Sequence, residues 1–359
     1  MNEIRVGRVG WHSCIRGYKQ ALALKQYGVK THWLCHKVMP THYSFHHFET
    51  INCFQIGDGE TAPKAPQAFD QFRRSIEHMA TFCDVFHIDN EPNWFVEEMR
   101  KVTDKPIVFD LHDLTSEREF IVQDDERSAF AKCDAIITQS PNYSRVSSAL
   151  RPDLAEAGLI DHCYCAVPRA LWPDLSMRLV SNGTQKLGGI TYEGGISESL
   201  TGGSEFRYRW WLPFMEPLTK DNINVYVYAA APGQYADYRK AGVRITTTLP
   251  FKDMLQHLTL HDWGVLGNVV NHPAFDNAMP NKLFEYTAAE LPVIVYNAKQ
   301  AAELVLSEGI GVVVNRPEDV KHIFSSAGDF LPAVRRFKEK YCMDNEVKKV
   351  LAIYNKLVG

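Results

Sequence analysis

Lys282 and Glu285 stand three residues apart in the stretch PNKLFEYTAAELPVIVYN, residues 280–297. Pro280 suits a first helical turn. Leu283, Phe284, Thr287, Ala288 and Leu291 recur at helical spacing, Pro292 closes the helix, and VIVY reads as a short buried strand. The two charges share one face of the first turn, beside the free N–H groups and positive dipole end of a helix start. Such a pair either serves a bound anion and its hydroxyl groups, or forms a surface ion pair worth a few tenths of a kcal/mol. A second anion-binding candidate lies in YEGGISESLTGGSEFRYR, residues 192–209, where the N–H groups of Gly194 and Gly195, with Ser197, can form a nest. Arg207 and Arg209 downstream either return charge to that turn or point outward from a helix.

Two strand-end patterns place histidine beside aspartate. FDLHDL, residues 109–114, carries His112 and Asp113, and FHIDNEPN, residues 86–93, carries His87 and Asp89. A strand-end histidine is either a proton-handling group or a satisfied structural one. Asp113 either orients the imidazole or caps the next helix. THYSFHHF brings His42, His46 and His47 together, but without HExxH or a companion cysteine pattern it reads as a mobile aromatic loop, and no metal is expected. GRVGWHSCIRG does not keep the GxGxxG spacing, and the chain holds no G-x-S-x-G elbow and no P-loop.

The elements that must position these residues alternate. IRVGRV, VKTHWLC, DVFHIDN, PIVFDLHDL, DAIITQS and HCYCAVP are short, apolar and β-rich, with helical segments among them; a polar, less regular region follows the second. After PRALWPDLSMRLVSNGTQ, a connecting segment, a second alternating series runs from KLGGITYEG to IGVVVN. Interleaved strands and helices predict doubly wound parallel sheets. The expectation is α/β: two Rossmann-like domains, at 1–168 and 185–328, facing a cleft, with a charged helical tail at 329–359 packing back toward the first. Ligands of such folds bind at the carboxyl ends of the strands.

With 359 residues, two domains are the default. A hydrophobic content of 45% and a charged content of 23% are those of an ordinary globular protein, and a net charge of −4 argues against a general nucleic-acid binder. The first fifty residues are basic: Arg5, Arg8, Arg16, Lys19, Lys25, Lys30 and Lys37 stand against Glu3 and Glu49. That asymmetry either faces an anionic acceptor or membrane surface, or is a solvated basic face. The eight cysteines are scattered, with Cys163 and Cys165 alternating in an expected strand, and read as buried apolar residues in a reducing compartment. With no signal-like opening and no run of about 20 apolar residues, a cytoplasmic protein with at most peripheral membrane contact is expected.

The segments ITYEGGI, TTTLPFKDML, HDWGVLGN, PNKLFEYTAAELPVIV and ELVLSEGIGVVVNRPEDV, in that order, resemble the donor-binding half of GT-B retaining glycosyltransferases (family 4-like, group 1). The match covers about 190–320 well and the first half more loosely. The resemblance implies that Asn281 and Lys282 hold the diphosphate of a nucleotide sugar and that Glu285 accepts the ribose hydroxyls. It places Gly194, Gly195, Ser197, Arg207 and Arg209 near the phosphates, Pro250, Phe251 and Met254 at the base, and Asn268 at the cleft. His112 matches the family's cleft histidine, with Asp113 beside it, while Trp11, His12, Ser13 and His87 fall on the acceptor side. Two positions depart from the pattern: Asn277, after Asp276, stands where an acidic residue contacts the sugar, and Gly195 stands where an arginine is expected, with no lysine following.

The resemblance implies transfer of a sugar from a nucleotide donor, UDP- or GDP-linked, to an acceptor hydroxyl with retention and no further cofactor. A lipid-linked or soluble saccharide is the favoured acceptor, with small metabolites, protein and modified nucleic acid also open. A nucleotide-sugar 2-epimerase and a non-catalytic nucleotide-sugar binder are the alternatives.

Overall fold

The computed structural model describes residues 3–37, 49–53, 66–89, 92–119, 124–176, 187–198, 209–247, 249–270 and 273–359. The chain divides into two compact units, one of residues 1–168 with 343–359, the other of residues 169–342.

The first unit is built on strands β1 (Ile4–His12), β2 (Val29–Lys37), β3 (Thr50–Cys53), β4 (Val85–Asp89), β5 (Ile107–Leu111), β6 (Ala135–Thr138) and β7 (Ile160–His162). They form one parallel sheet in the order β3-β2-β1-β4-β5-β6-β7. The order reverses between β1 and β4, which is where a doubly wound sheet opens a crevice at its carboxyl edge. β4, β5 and β6 are buried at every residue, as strands covered by helices on both faces must be. β3, from TINC, falls in a stretch whose sequence carries no clear period. The last helix, Met343–Val358, belongs to this unit and turns Val347, Val350, Ile353 and Tyr354 into its core.

The second unit carries β8 (Ile190–Gly194), β9 (Val225–Ala229), β10 (Arg244–Thr247), β11 (Trp263–Gly267), β12 (Val293–Tyr296) and β13 (Gly311–Val313). They too are all parallel, in the order β10-β9-β8-β11-β12-β13, with the reversal between β8 and β11. Trp211, Phe214, Met215, Tyr238 and Trp263 centre its core. The helix Ala327–Lys340 stays with this unit, its Phe337 stacked on Phe284. The charged tail of the sequence is thus two helices, one in each unit.

Two expectations are corrected. HCYCAVP is not a strand of its own: β7 ends at His162, Cys163 N–H still donates to Thr138 O of β6 at 2.8 Å, and residues 163–168 carry no strand beyond that bond. Buried cations take the carbonyls instead, Arg16 Nη1 donating to Cys163 O at 2.5 Å and Lys19 Nζ to Cys165 O at 3.4 Å. The basic N-terminal run is not one solvated face either, because Arg8, Arg16 and Lys19 are buried. Only ion pairing and hydrogen bonding make such burial tolerable. Arg5 and Lys30 remain at the surface, paired with Glu3. No helix among the described residues is long and apolar enough to cross a membrane.

Candidate functional site

In the second unit the carboxyl ends of β8 and β11 meet the start of the helix Asn281–Ala288, capped by Pro280. Tyr286 fixes this junction. Its hydroxyl donates to Val265 O on β11 at 2.9 Å and accepts from Glu193 N on β8 at 3.0 Å, joining the two strands at the reversal point. The ring lies so close to Gly264 that a Cβ there would sit 2.3 Å from it. Glycine at 264 therefore sets how near the helix approaches the sheet.

One turn earlier on that helix, Lys282 reaches back over the glycine turn. A Cβ at Gly194 would lie 2.9 Å from Lys282 Nζ, and Gly194 has φ +114°, which disfavours any other residue. The same Nζ is 5.3 Å from the centroid of the Tyr192 ring. Arg209 covers the neighbouring position, with Nη1 3.1 Å from where a Cβ of Gly195 would be. The missing side chain at 195 is thus replaced by a guanidinium arriving from 14 positions downstream, counted from the two residue numbers. Ser197 N donates to the Arg209 carbonyl at 2.9 Å, tying the turn to the arginine's backbone. Burial works against the Lys282 charge, but Tyr192, Glu193 and Glu285 outweigh it and hold the ammonium above its usual range.

Glu285 is buried and Lys282 half-buried, so the solvent-exposed ion pair weighed from sequence is not the arrangement found. Asn281, half-buried, opens the helix. Pro250 caps the helix Phe251–Leu258, and Phe251 and Met254 are buried on it. Asn268, just past β11, is buried, its N–H on Tyr296 O at 2.8 Å. Asn277 ends the helix Pro273–Asn277 and is half-buried. Arg207 lies outside the described residues, as do His42, His46 and His47.

The first unit holds its polar groups beneath the carboxyl edge of β1, β4 and β5. Asp110, fully buried on β5, is the hub. Arg16 donates to its Oδ1 from Nε (3.0 Å) and Nη2 (2.8 Å), while Gln20 Nε2 (3.0 Å) and His87 Nε2 (3.1 Å) meet Oδ2. Asp89, two residues beyond His87 on β4, pairs with Arg8, whose Nε donates to Oδ2 at 2.9 Å and whose Nη2 reaches Oδ1. Burial alone would push the Asp110 carboxyl up; Arg16 and then His87 hold it well below the usual carboxylate range.

His112 follows β5 and shares the Asp110 face, since residues two apart on a strand point the same way. Its Nε2 stands 4.0 Å from Asp110 Oδ1, and its side chain is 19% exposed. Burial is the largest influence on it and lowers it to about 4, with Asp110 opposing. It is a neutral imidazole at pH 7. Asp113 accepts from Gln139 Nε2 at 3.2 Å, and Gln139 also donates to the His112 carbonyl. His87, expected on the acceptor side, is fully enclosed with both ring nitrogens engaged. Trp11 stacks on His36 with centroids 4.3 Å apart, His12 is exposed, and Ser13 is buried.

Cys14, Asp89 and His112 bring three metal-ligating atoms within 4.8 Å of one another. Both Asp89 oxygens already serve Arg8, whose guanidinium compensates the carboxylate's charge. Sequence reasoning did not find the Arg8, Arg16, Gln20, Asp110 and Tyr354 cluster. Arg16, Lys19 and Gln20 at helical spacing were the available signal, and nothing local marks that face as interior.

Residues 212–329 match the family model for the glucosyltransferase 3-like C-terminal domain. No curated protein matches the sequence. Among solved structures, a glycosyltransferase from Rickettsia africae ESF-5 is similar over 100% of this chain and 99% of its own, at 13% identity and TM-score 0.67. WaaG, a glycosyltransferase involved in lipopolysaccharide biosynthesis, matches over 99% of this chain and 100% of its own, at 11% identity and TM-score 0.65. The chain has the GT-B fold. An alpha-glucosyltransferase in complex with UDP-glucose and DNA containing an abasic site shares that fold at 12% identity and TM-score 0.57, over 98% of this chain and 95% of its own. The GT-B fold and the domain match together support a glycosyltransferase enzyme.

Proposed function

We propose that this protein transfers a sugar from a nucleotide-sugar donor to an acceptor hydroxyl, with retention of anomeric configuration. The observation that carries the reading is the convergence of Lys282 and Arg209 on the Gly194–Gly195 turn, at the carboxyl end of β8 and the start of a helix. Two cations, a glycine turn and a helix start in one place suit a diphosphate. The hard step is cleavage of the anomeric C–O bond, which puts negative charge on the departing diphosphate. Preorganised donors at that turn lower the barrier by meeting the charge as it grows. Glu285, in the same helical turn, is placed to accept from the ribose hydroxyls, and Phe251 and Met254 offer apolar surface for the base. In this reading a leaving phosphate oxygen takes the acceptor proton on the face it vacates, so no separate base is required. Neutral His112, at the carboxyl edge of the first unit's sheet, is the candidate catalytic group, acting by hydrogen bonding.

UDP-sugars come first among the donors to test, because the DNA-bound neighbour holds UDP-glucose. A thermal-shift screen of UDP-, GDP-, ADP- and CMP-sugars is the primary experiment, since a ligand bound only by the folded state raises its stability. One donor class is expected to raise the midpoint, with the product anomer matching the donor by NMR. A change in the donor sugar without any acceptor would mean epimerisation, and an inverted product would remove the retaining mechanism. No shift with any nucleotide sugar would refute the reading as a whole.

A further inference from the structure

Asp110, whose Oδ1 lies 4.0 Å from His112 Nε2 and so outside hydrogen-bond reach, is itself held by a chain of hydrogen bonds. His87 Nε2 meets Asp110 Oδ2 at 3.1 Å, and the other ring nitrogen, Nδ1, lies 2.6 Å from the Tyr354 hydroxyl on the C-terminal helix. His87, Asp110 and Tyr354 are all fully buried. We propose that Tyr354 is a positioning residue for His112, acting through His87 and Asp110. The proposal rests on the reading of His112 as a catalytic histidine.

The direction of each hydrogen bond follows from Asp110. An ionised carboxylate only accepts, so His87 Nε2 must carry a proton. Burial and then Arg8 keep His87 below its ordinary range, so the ring is neutral and Nδ1 is bare. Burial likewise keeps the Tyr354 phenol protonated, so its hydroxyl donates to Nδ1. Asp110 thus fixes the tautomer of His87, and one hydroxyl on the last helix fixes the orientation of that ring, which supplies one of the donors holding Asp110 in place. Asp110 in turn presents Oδ1 4.0 Å from His112 Nε2.

Removing the hydroxyl leaves a bare, buried Nδ1. The Asp110 carboxylate still keeps the proton on Nε2, but the ring has lost its second anchor; it rotates, the Nε2–Oδ2 bond loosens, Asp110 shifts, and His112 loses its fixed neighbour. Small misplacements of this kind are enough to slow an oriented reaction by about 10-fold or more.

Tyr354→Phe keeps the ring and the core volume, and two measurements test it. First, histidine ring 15N NMR, assigned with His87→Gln and His112→Gln variants, is expected to show a His87 Nδ1 signal moved by the loss of its donor, with the proton still on Nε2, and a shifted His112 resonance in Tyr354→Phe. An unaltered His112 signal would overturn the proposal, whether or not the protein transfers sugar. Second, kcat is expected to fall about 10-fold with the donor KM within about twofold. The same change in a His112→Ala background should then cost less than about twofold, because the residue it acts through is gone. An equal loss in both backgrounds would show that Tyr354 acts elsewhere and would also overturn the proposal. Absence of any transfer by the unaltered protein refutes the functional reading and leaves the NMR result to decide this one.

Discussion

Replacing Asp110 with asparagine tests the buried charge hub most directly. The side chain is fully enclosed and accepts at both oxygens: from Arg16 at 2.8 and 3.0 Å on Oδ1, and from Gln20 at 3.0 Å and His87 at 3.1 Å on Oδ2. An amide has one acceptor and one donor end. Whichever way the new side chain turns, its NH2 faces either the Arg16 fork or the Gln20 and His87 donors. The substitution also strips Arg16 of its counter-charge in a site where water does not replace it. Breaking a buried ion pair from one side costs about 3–5 kcal/mol. At about 2–4 °C per kcal/mol for a unit of this size, the first unit's melting transition should fall by about 6–20 °C. Calorimetry with and without nucleotide separates the transitions, because a nucleotide bound by the second unit raises only that unit's midpoint. A loss below about 1 kcal/mol would refute the claim that the Asp110 charge holds this cluster together.

Other consequences are open to measurement. His112 is held down to about 4 by burial, so the unfolded chain binds its proton first as pH falls. This residue's contribution is complete above about pH 6.5 and is lost toward pH 4, amounting to about 2 kcal/mol between pH 7.5 and 5. Urea titrations at those pH values should show that slope, and His112→Gln should flatten it. Lys282→Met should weaken nucleotide-diphosphate binding by about 10- to 100-fold, as expected for a lost charge-assisted hydrogen bond of about 1.5–3 kcal/mol. Calorimetric titration should show that loss to be much smaller for the bare nucleoside. Tyr286→Phe leaves the Glu193 N–H and the Val265 carbonyl without their shared hydroxyl. A loss of about 1–3 kcal/mol in second-unit stability is expected from denaturant unfolding, and an unchanged midpoint would mean that water fills the gap.

The sequence read well wherever one period ruled a segment. VIVY, IVFDL and VYVYA are short apolar runs between turn signals, and each is a buried parallel strand. The helix bearing Lys282 and Glu285 starts where Pro280 and the apolar spacing put it. HCYCAVP misled because alternation of apolar residues says nothing about which donor takes the carbonyls, and here Arg16 and Lys19 take them. The burial of Arg8 and Arg16 was hidden for a related reason. Their partners Asp89 and Asp110 lie 81 and 94 residues away, and only the strand order β1-β4-β5 brings them together. Tyr354 is further removed still, 267 residues from His87. The site in the second unit was more legible because its helix and its glycine turn carry local signatures, although the Arg209 guanidinium over Gly195 is a matter of geometry alone.

That the final helix completes the first unit makes this a discontinuous domain, with residues 169–342 inserted between its two parts. During synthesis the inserted unit has its entire sequence before the host unit does. Until Val347, Val350, Ile353 and Tyr354 emerge, the nascent host unit has an open apolar slot and an unfilled place beside His87. Emergence of this helix from the ribosome, not the first hundred residues, thus sets the earliest moment at which the host core can close. A transcript shortened before Met343 would yield one lobe able to fold and another held open, the kind of species that aggregates or is cleared by proteases.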